Sequence, residues 1–177
     1  MSRLQGEQAG KERGANQVEI IKPEEYAVSE WAGGKTTQLY IYPQDSEYAK
    51  RNFLLRISSA TVECERSEFT SLPQVERIIL PLSGSLHLFY EGHGEKKLEP
   101  FEQDRFDGGW KTVSVGRATD FNVMLREGTQ AQVRLLDVNP NEQASVEVAA
   151  NGLTAVFAAQ GTAVVDGKAL PERGLAV

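Results

Sequence analysis

The chain has 177 residues, 40% of them hydrophobic and 25% charged, and a formal net charge of −6. That length and apolar content suit one packed domain and argue against disorder of the whole chain. No stretch concentrates Lys and Arg, so the acidic chain lacks the phosphate-tracking surface a nucleic-acid partner needs.

A single cysteine, Cys64, leaves no intrachain disulfide and fits a reducing compartment. Met1 to Gln17 contains no apolar run of signal-peptide type, and charges or turn residues interrupt every candidate membrane span. A soluble, cytoplasmic protein without a membrane partner is therefore expected.

Residues 1–17 are polar and read as a flexible leader, with one domain over 18–177. Val18 to Ile21 is the first extended segment. Thr37 to Tyr42 alternates and stops at Pro43, which has no amide for a ladder. Gln38, Tyr40 and Tyr42 are expected on one face by strand period. Asp45 to Asn52 is the one helical candidate, a single turn.

Phe53 to Val62 alternates again, with Phe53, Leu55 and Ile57 on one face and Arg56, Ser58, Ala60 and Val62 on the other. Arg77 to Leu82, a Ser83-Gly84 turn, Ser85 to Tyr90 and the Gly92/Gly94 turn form a hairpin signal. Leu98 to Phe106 is Pro-interrupted, and Asp107-Gly108-Gly109 turns the chain into Thr112 to Val115. Strands are also expected at Thr119 to Leu125 and Gln132 to Val138. So many short strands with spaced Gly turns fit a closed barrel or a double-sheet roll.

A faint repeat links Leu82 to Leu88, followed by Gly92 and Leu98, with Ala159 to Val165, followed by Gly167 and Leu170.

Several strings resemble the HutD/Ves family of cupin-like proteins. They are Trp31 to Leu39 with Ile41-Tyr42-Pro43, then Leu55 to Val62, Phe69 to Pro73 with Glu76-Arg77, Leu82-Ser83-Gly84, Phe106-Asp107-Gly108 and Asp120 to Met124. They fall in family order across about residues 18–140. Two strings depart from the pattern: Phe69 to Gln74 stands for Phe-Ser-x-Phe-Pro-Gly, and Trp31-Ala32-Gly33-Gly34 for Trp-Lys-Asn-Gly-Gly.

The resemblance implies an all-β, double-stranded β-helix (cupin-like) barrel in a duplicated bicupin arrangement. Its first half would span about 18–125, and its second about 126–177, completed by N-terminal strands. Some members sit with histidine-utilisation genes, which implies a sensing or moderating role; no secure catalytic activity accompanies the family.

Metal cupins hold their ion with several imidazoles and a carboxylate. This chain has only His87 and His93, six residues apart, and His93 lies in the Gly92/Gly94 turn, so neither a metal nor another cofactor is expected. Gly33-Gly34-Lys35-Thr36 lacks the Walker spacing and reads as a hinge into a strand, with an anion site as the alternative.

Arg56 either faces solvent or enters the barrel, where its charge needs a carboxylate. That partner is either a protein acid (Asp107, Glu76 or Asp120) or a ligand carboxylate held bidentately. Arg77 carries the same ambiguity. Asp120 and Asn122 share a strand face and either line the lumen or bond locally. Trp31 is a candidate lid or an ordinary half-buried Trp.

No nucleophile is set up beside a base, so binding is favoured over catalysis. The leading expectation is a metal-free module for a small carboxylated metabolite. Arg56 would anchor the anion, with Trp31, Lys35, Thr36, Ser58, Arg77 and Asn122 around it. The alternatives are a metal-independent isomerase or epimerase using His87 with Asp107 or Asp120 as acid and base, or an interaction scaffold with a plugged barrel. A homodimer through an exposed sheet face is carried over from similar barrels.

Overall fold

A computed structural model describes residues 17–148 and 152–177. The expected leader therefore lies, Gln17 apart, outside the described residues. Among the described residues fifteen strands are present: β1 (Ile20–Ile21), β2 (Ala27–Trp31), β3 (Gly34–Tyr42), β4 (Leu55–Val62), β5 (Arg66–Glu68), β6 (Glu76–Ser83), β7 (Leu86–Tyr90), β8 (Gly94–Leu98), β9 (Asp104–Asp107), β10 (Thr112–Val115), β11 (Ala118–Leu125), β12 (Val156–Phe157), β13 (Ala163–Val165), β14 (Lys168–Leu170) and β15 (Leu175–Ala176). The helical candidate after Pro43 is a single 3-10 turn, Tyr48–Lys50.

Six strands form the central sheet in the order β2-β3-β4-β11-β6-β9, and a four-stranded sheet, β5-β10-β7-β8, faces it. Short terminal strands, β1-β15-β12, make a third sheet, and β13-β14 is a separate hairpin. Every pairing is antiparallel.

The central sheet is covered on both faces, which explains why β6 reads as an unbroken apolar run rather than an alternation. Leu39, Ile57, Ile78, Leu80, Phe121 and Val123 pack on one side with Leu175 and the partly buried Ile21 and Phe157. Ile79, Phe106 and Ala118 face the other way, against Leu86, Leu88, Tyr90 and Leu98 of the four-stranded sheet. Pro81 is tolerated inside β6 because pairing with β9 ends at Ile79 and the register with β11 shifts beside it.

Three expectations need correction. β2, with all five residues exposed, forms a hairpin with β3 that alternation did not reveal. Gln132 to Val138 is extended but forms no ladder: the Gln103 side chain donates to the Val133 carbonyl at 3.2 Å and Arg105 bonds the Ala131 carbonyl. Tyr40 and Tyr42 leave the face of Gln38, because a register irregularity between Gln38 and Tyr40 puts them opposite Ile57 and Leu55.

Candidate functional site

The register of three neighbouring strands builds the site. On β4 and β11, Arg56 lies opposite Met124, Ser58 opposite Asn122 and Ala60 opposite Asp120; on β6, Arg77 lies opposite Met124. A period of two then sends Arg56, Ser58, Arg77, Asn122 and Asp120 to the face toward the four-stranded sheet. All five are buried, between 2% and 6% exposed.

Arg56 is held by neutral groups. Its Nε donates to Gln38 Oε1 at 2.9 Å and its Nη1 to Ser58 Oγ at 3.1 Å, with Met124 Sδ 3.9 Å away. Its guanidinium carbon lies 4.3 Å from the Tyr48 ring centroid, and Arg51 stacks on the same ring at 4.0 Å. Arg77 rests 4.5 Å from the Phe69 centroid and 5.4 Å from that of Phe106, and its Nε has no hydrogen-bond partner.

Among the described residues, neither guanidinium has a carboxylate within 4.0 Å. Glu76 instead pairs with Arg105 at 2.6 Å, and exposed Asp107 accepts from the Gly109 amide at 2.7 Å. Asp120 is the fully buried acid between the sheets, and Asp104, on the same face of β9 as Phe106, accepts from the Tyr90 hydroxyl at 2.6 Å. Burial pushes the Asp120 carboxyl up to about 7 despite the opposing field of Arg77, while burial lowers Arg77 to about 10 and moves Arg56 in the same direction. Arg77 therefore stays cationic at neutral pH, and Asp120 is poised between its two states.

Asp120 Oδ1, Asn122 Oδ1 and, across the lumen on β10, Ser114 Oγ are also buried without partners. Buried polar atoms are seldom left so, because each costs about 1–3 kcal/mol.

The remaining candidates are not brought to this cluster. Trp31 folds over the β2–β3 turn, where a Cβ added at Gly33 would lie 2.2 Å from its ring and 2.7 Å from Cys64 Sγ. That turn is at the Val62 end of β4, six residues or about 20 Å from Arg56. Lys35 is exposed opposite Glu30. Thr36 shares the lumen face, opposite Ala60.

His87 also needs correction as an acid/base candidate. It alternates with buried Leu86 and Leu88, so it points away from the central sheet, its ring tilted against that of Phe89 with centroids 4.0 Å apart. Its Nε2 is 3.3 Å from Glu95 Oε2 without hydrogen-bond alignment, and neither Asp107 nor Asp120 pairs with it. His93 stacks on Trp110 with centroids 4.0 Å apart. No group of three His, Cys, Asp or Glu among the described residues is placed to hold a metal. Among the described residues no helix is long and apolar enough to cross a membrane.

Sequence reading missed Gln38 and Tyr48 on Arg56, Phe69 and Phe106 on Arg77, and Ser114. The bulge in β3 hid Gln38; the others come from distant strands and turns with no local signal. Two open surface hollows of about 600 and 470 Å³ flank the barrel, and neither is lined by Arg56, Ser58, Arg77, Asp120 or Asn122.

The HutD family model matches residues 23–174. A conserved protein of unknown function from Pseudomonas aeruginosa PAO1 is similar in structure, with a TM-score of 0.68 and 21% identity, over 91% of this chain and 86% of that one. HutD from Pseudomonas fluorescens SBW25, solved in a formate condition, gives 0.65 and 21%, over 91% and 87%. No curated protein matches the sequence. An all-β chain matched by that family model over nearly all its described residues belongs to the HutD family.

Proposed function

We propose that the protein is a metal-free cupin-type module that binds a small carboxylated metabolite and serves as a regulator or sensor of histidine or amino-acid catabolism. The observation that carries this reading is the pair of buried guanidinia, Arg56 and Arg77, with no carboxylate within 4.0 Å of either. Two acids share the space between the sheets with the guanidinia, but Asp104 is engaged by the Tyr90 hydroxyl and Asp120 is poised between its states, so neither pairs directly with Arg56 or Arg77. A carboxylate entering it would gain charge-assisted hydrogen bonds, each worth about 1.5–3 kcal/mol.

Arg56 is the anchor in this reading, because only the partly exposed Tyr48 ring stands over it. A ligand reaches the guanidinium by displacing that ring. Catalysis through His87 lacks support, since its ring faces away from the lumen. A plugged scaffold is the second reading: Ile79, Phe106 and Ala118 of the central sheet pack on Leu86, Leu88 and Leu98, while Arg56, Ser58, Arg77, Asp120 and Asn122 make the rest of that wall polar.

The duplicated barrel belongs to the same proposal. Gly84 and Gly161 have φ of 70° and 69°, and Gly92 and Gly167 of 77° and 78°, at matching places of the repeat. Leu98 and Leu170, which close the two units, are both fully buried. β1 pairs with β15, as a second half completed by an N-terminal strand requires. A homodimer is also proposed, through the exposed edge strand β2; light scattering is expected to give twice the chain mass, and a monomer mass would refute it.

The test is thermal denaturation with formate, histidine, urocanate and formiminoglutamate, each with and without chelator. An acid at a hundred times its Kd raises Tm by about 5–10 °C for a chain of this size. The rise is expected to be chelator-insensitive and absent in Arg56→Ala. If no acid shifts Tm, or Arg56→Ala leaves the shift intact, the reading is wrong.

A further inference from the structure

From the buried acceptors Asp120 Oδ1 and Asn122 Oδ1, we infer that the site takes a carboxylate that also bears an N–H or O–H donor, with the donor bound at the Asp120 end of the lumen. The inference rests on the carboxylate reading above and adds the second half of the ligand.

The two ends of the lumen differ in hydrogen-bonding sense. At the Met124 level, Arg56 and Arg77 can only donate. Two and four residues along β11 stand Asn122 and Asp120, about 7 and 13 Å away in strand rise. Both side chains are at least nine-tenths buried and each leaves a carbonyl or carboxyl oxygen without a donor. Opposite them, Ser114 Oγ is unpartnered too and can donate or accept.

Arg77 and Asp120 each feel the other's charge across this interval. With a hydrogen bond of about 3 Å at each end, a ligand whose carboxylate and donor are about four bonds apart spans from the guanidinia to the Asn122 level and toward Asp120. A plain alkyl carboxylate meets the guanidinia but leaves both acceptors buried and unpaired, so it binds more weakly. An ω-amino or ω-hydroxy acid satisfies both ends, and an ammonium donor is favoured when Asp120 is ionised.

Calorimetric titration of the full chain at pH 8 with 4-aminobutyrate, 4-hydroxybutyrate and butyrate separates the two halves of the ligand. Both donor-bearing acids are expected to bind at least tenfold more tightly than butyrate. In Asn122→Ala that ratio falls toward one for 4-aminobutyrate, and in Asp120→Asn, which keeps an acceptor but loses the charge, it falls at least threefold, with butyrate affinity kept within about threefold in both. The two variants are scored separately, and the near-isosteric Asp120→Asn suffices if Asn122→Ala fails to fold.

Equal binding of all three acids, lost in Arg56→Ala, overturns the donor assignment and leaves the carboxylate reading standing; hydration of the acceptors by water alone gives this result. A preference unchanged in both variants overturns it as well. No binding of any of the three removes the carboxylate reading together with the donor.

Discussion

Replacing Asp120 by Asn should remove a pH dependence of folding that the wild type carries. The carboxyl titrates at 3.8 when unperturbed and is raised to about 7 in the fold by burial, which outweighs the attraction of Arg77. Between those values the folded protein holds a proton that the unfolded chain has released. The contribution of Asp120 is therefore complete below about pH 4 and is lost as pH rises through about 7. Three pKa units correspond to about 4 kcal/mol across that range. Asp120→Asn keeps the shape and cannot ionise. The assay is urea denaturation of both proteins at half-unit steps from pH 4 to pH 8.5. The stability of the wild type minus that of the variant should fall by a few kcal/mol over the series. A difference that stays constant with pH would refute the argument that desolvation outweighs Arg77.

Other outcomes follow from the packing. Phe53 is fully buried between Ile41, Leu72, Val75 and Met124, so Phe53→Ala should lower stability by about 3–5 kcal/mol in urea unfolding. Gly84→Ala meets the Arg117 carbonyl at 2.3 Å from the new Cβ with φ at 70°, whereas Gly92→Ala has a similar φ and open space around it. The urea midpoint should fall further for the first than for the second, whose loss is about 1 kcal/mol; equal losses would show that the turn at Gly84 relaxes freely. His87→Gln should leave stability within about 0.5 kcal/mol and acid binding unchanged, as expected of an outward side chain; a loss of binding would return His87 to the site.

Arg56, Ser58, Arg77, Asp120 and Asn122 were legible as a set because strand period alone assigns their faces, and an arginine on a strand poses its own question of partnership. The all-β character and most strand positions came from alternation and from Pro and Gly punctuation. The exposed strand β2 escaped because it has no alternating apolar pattern, and its place depends on hydrogen bonding to β3. Gln132 to Val138 misled because an alternating segment becomes a strand only when a neighbouring backbone is available, and here side chains of Gln103 and Arg105 occupy that role.

The sequence by itself determined which side chains share a face within a regular strand such as β4, since that follows from the two-residue repeat of an extended chain, but not across the irregularity in β3. Only the tertiary structure decided which face is inside, because that depends on the second sheet lying over it. It turned His87 outward, separated Trp31 and Lys35 from Arg56, and brought Gln38, Tyr48 and Phe69 to the arginines from turns and strands remote in the chain. It also left both guanidinia without a carboxylate, a property of three-dimensional neighbours that no local pattern encodes.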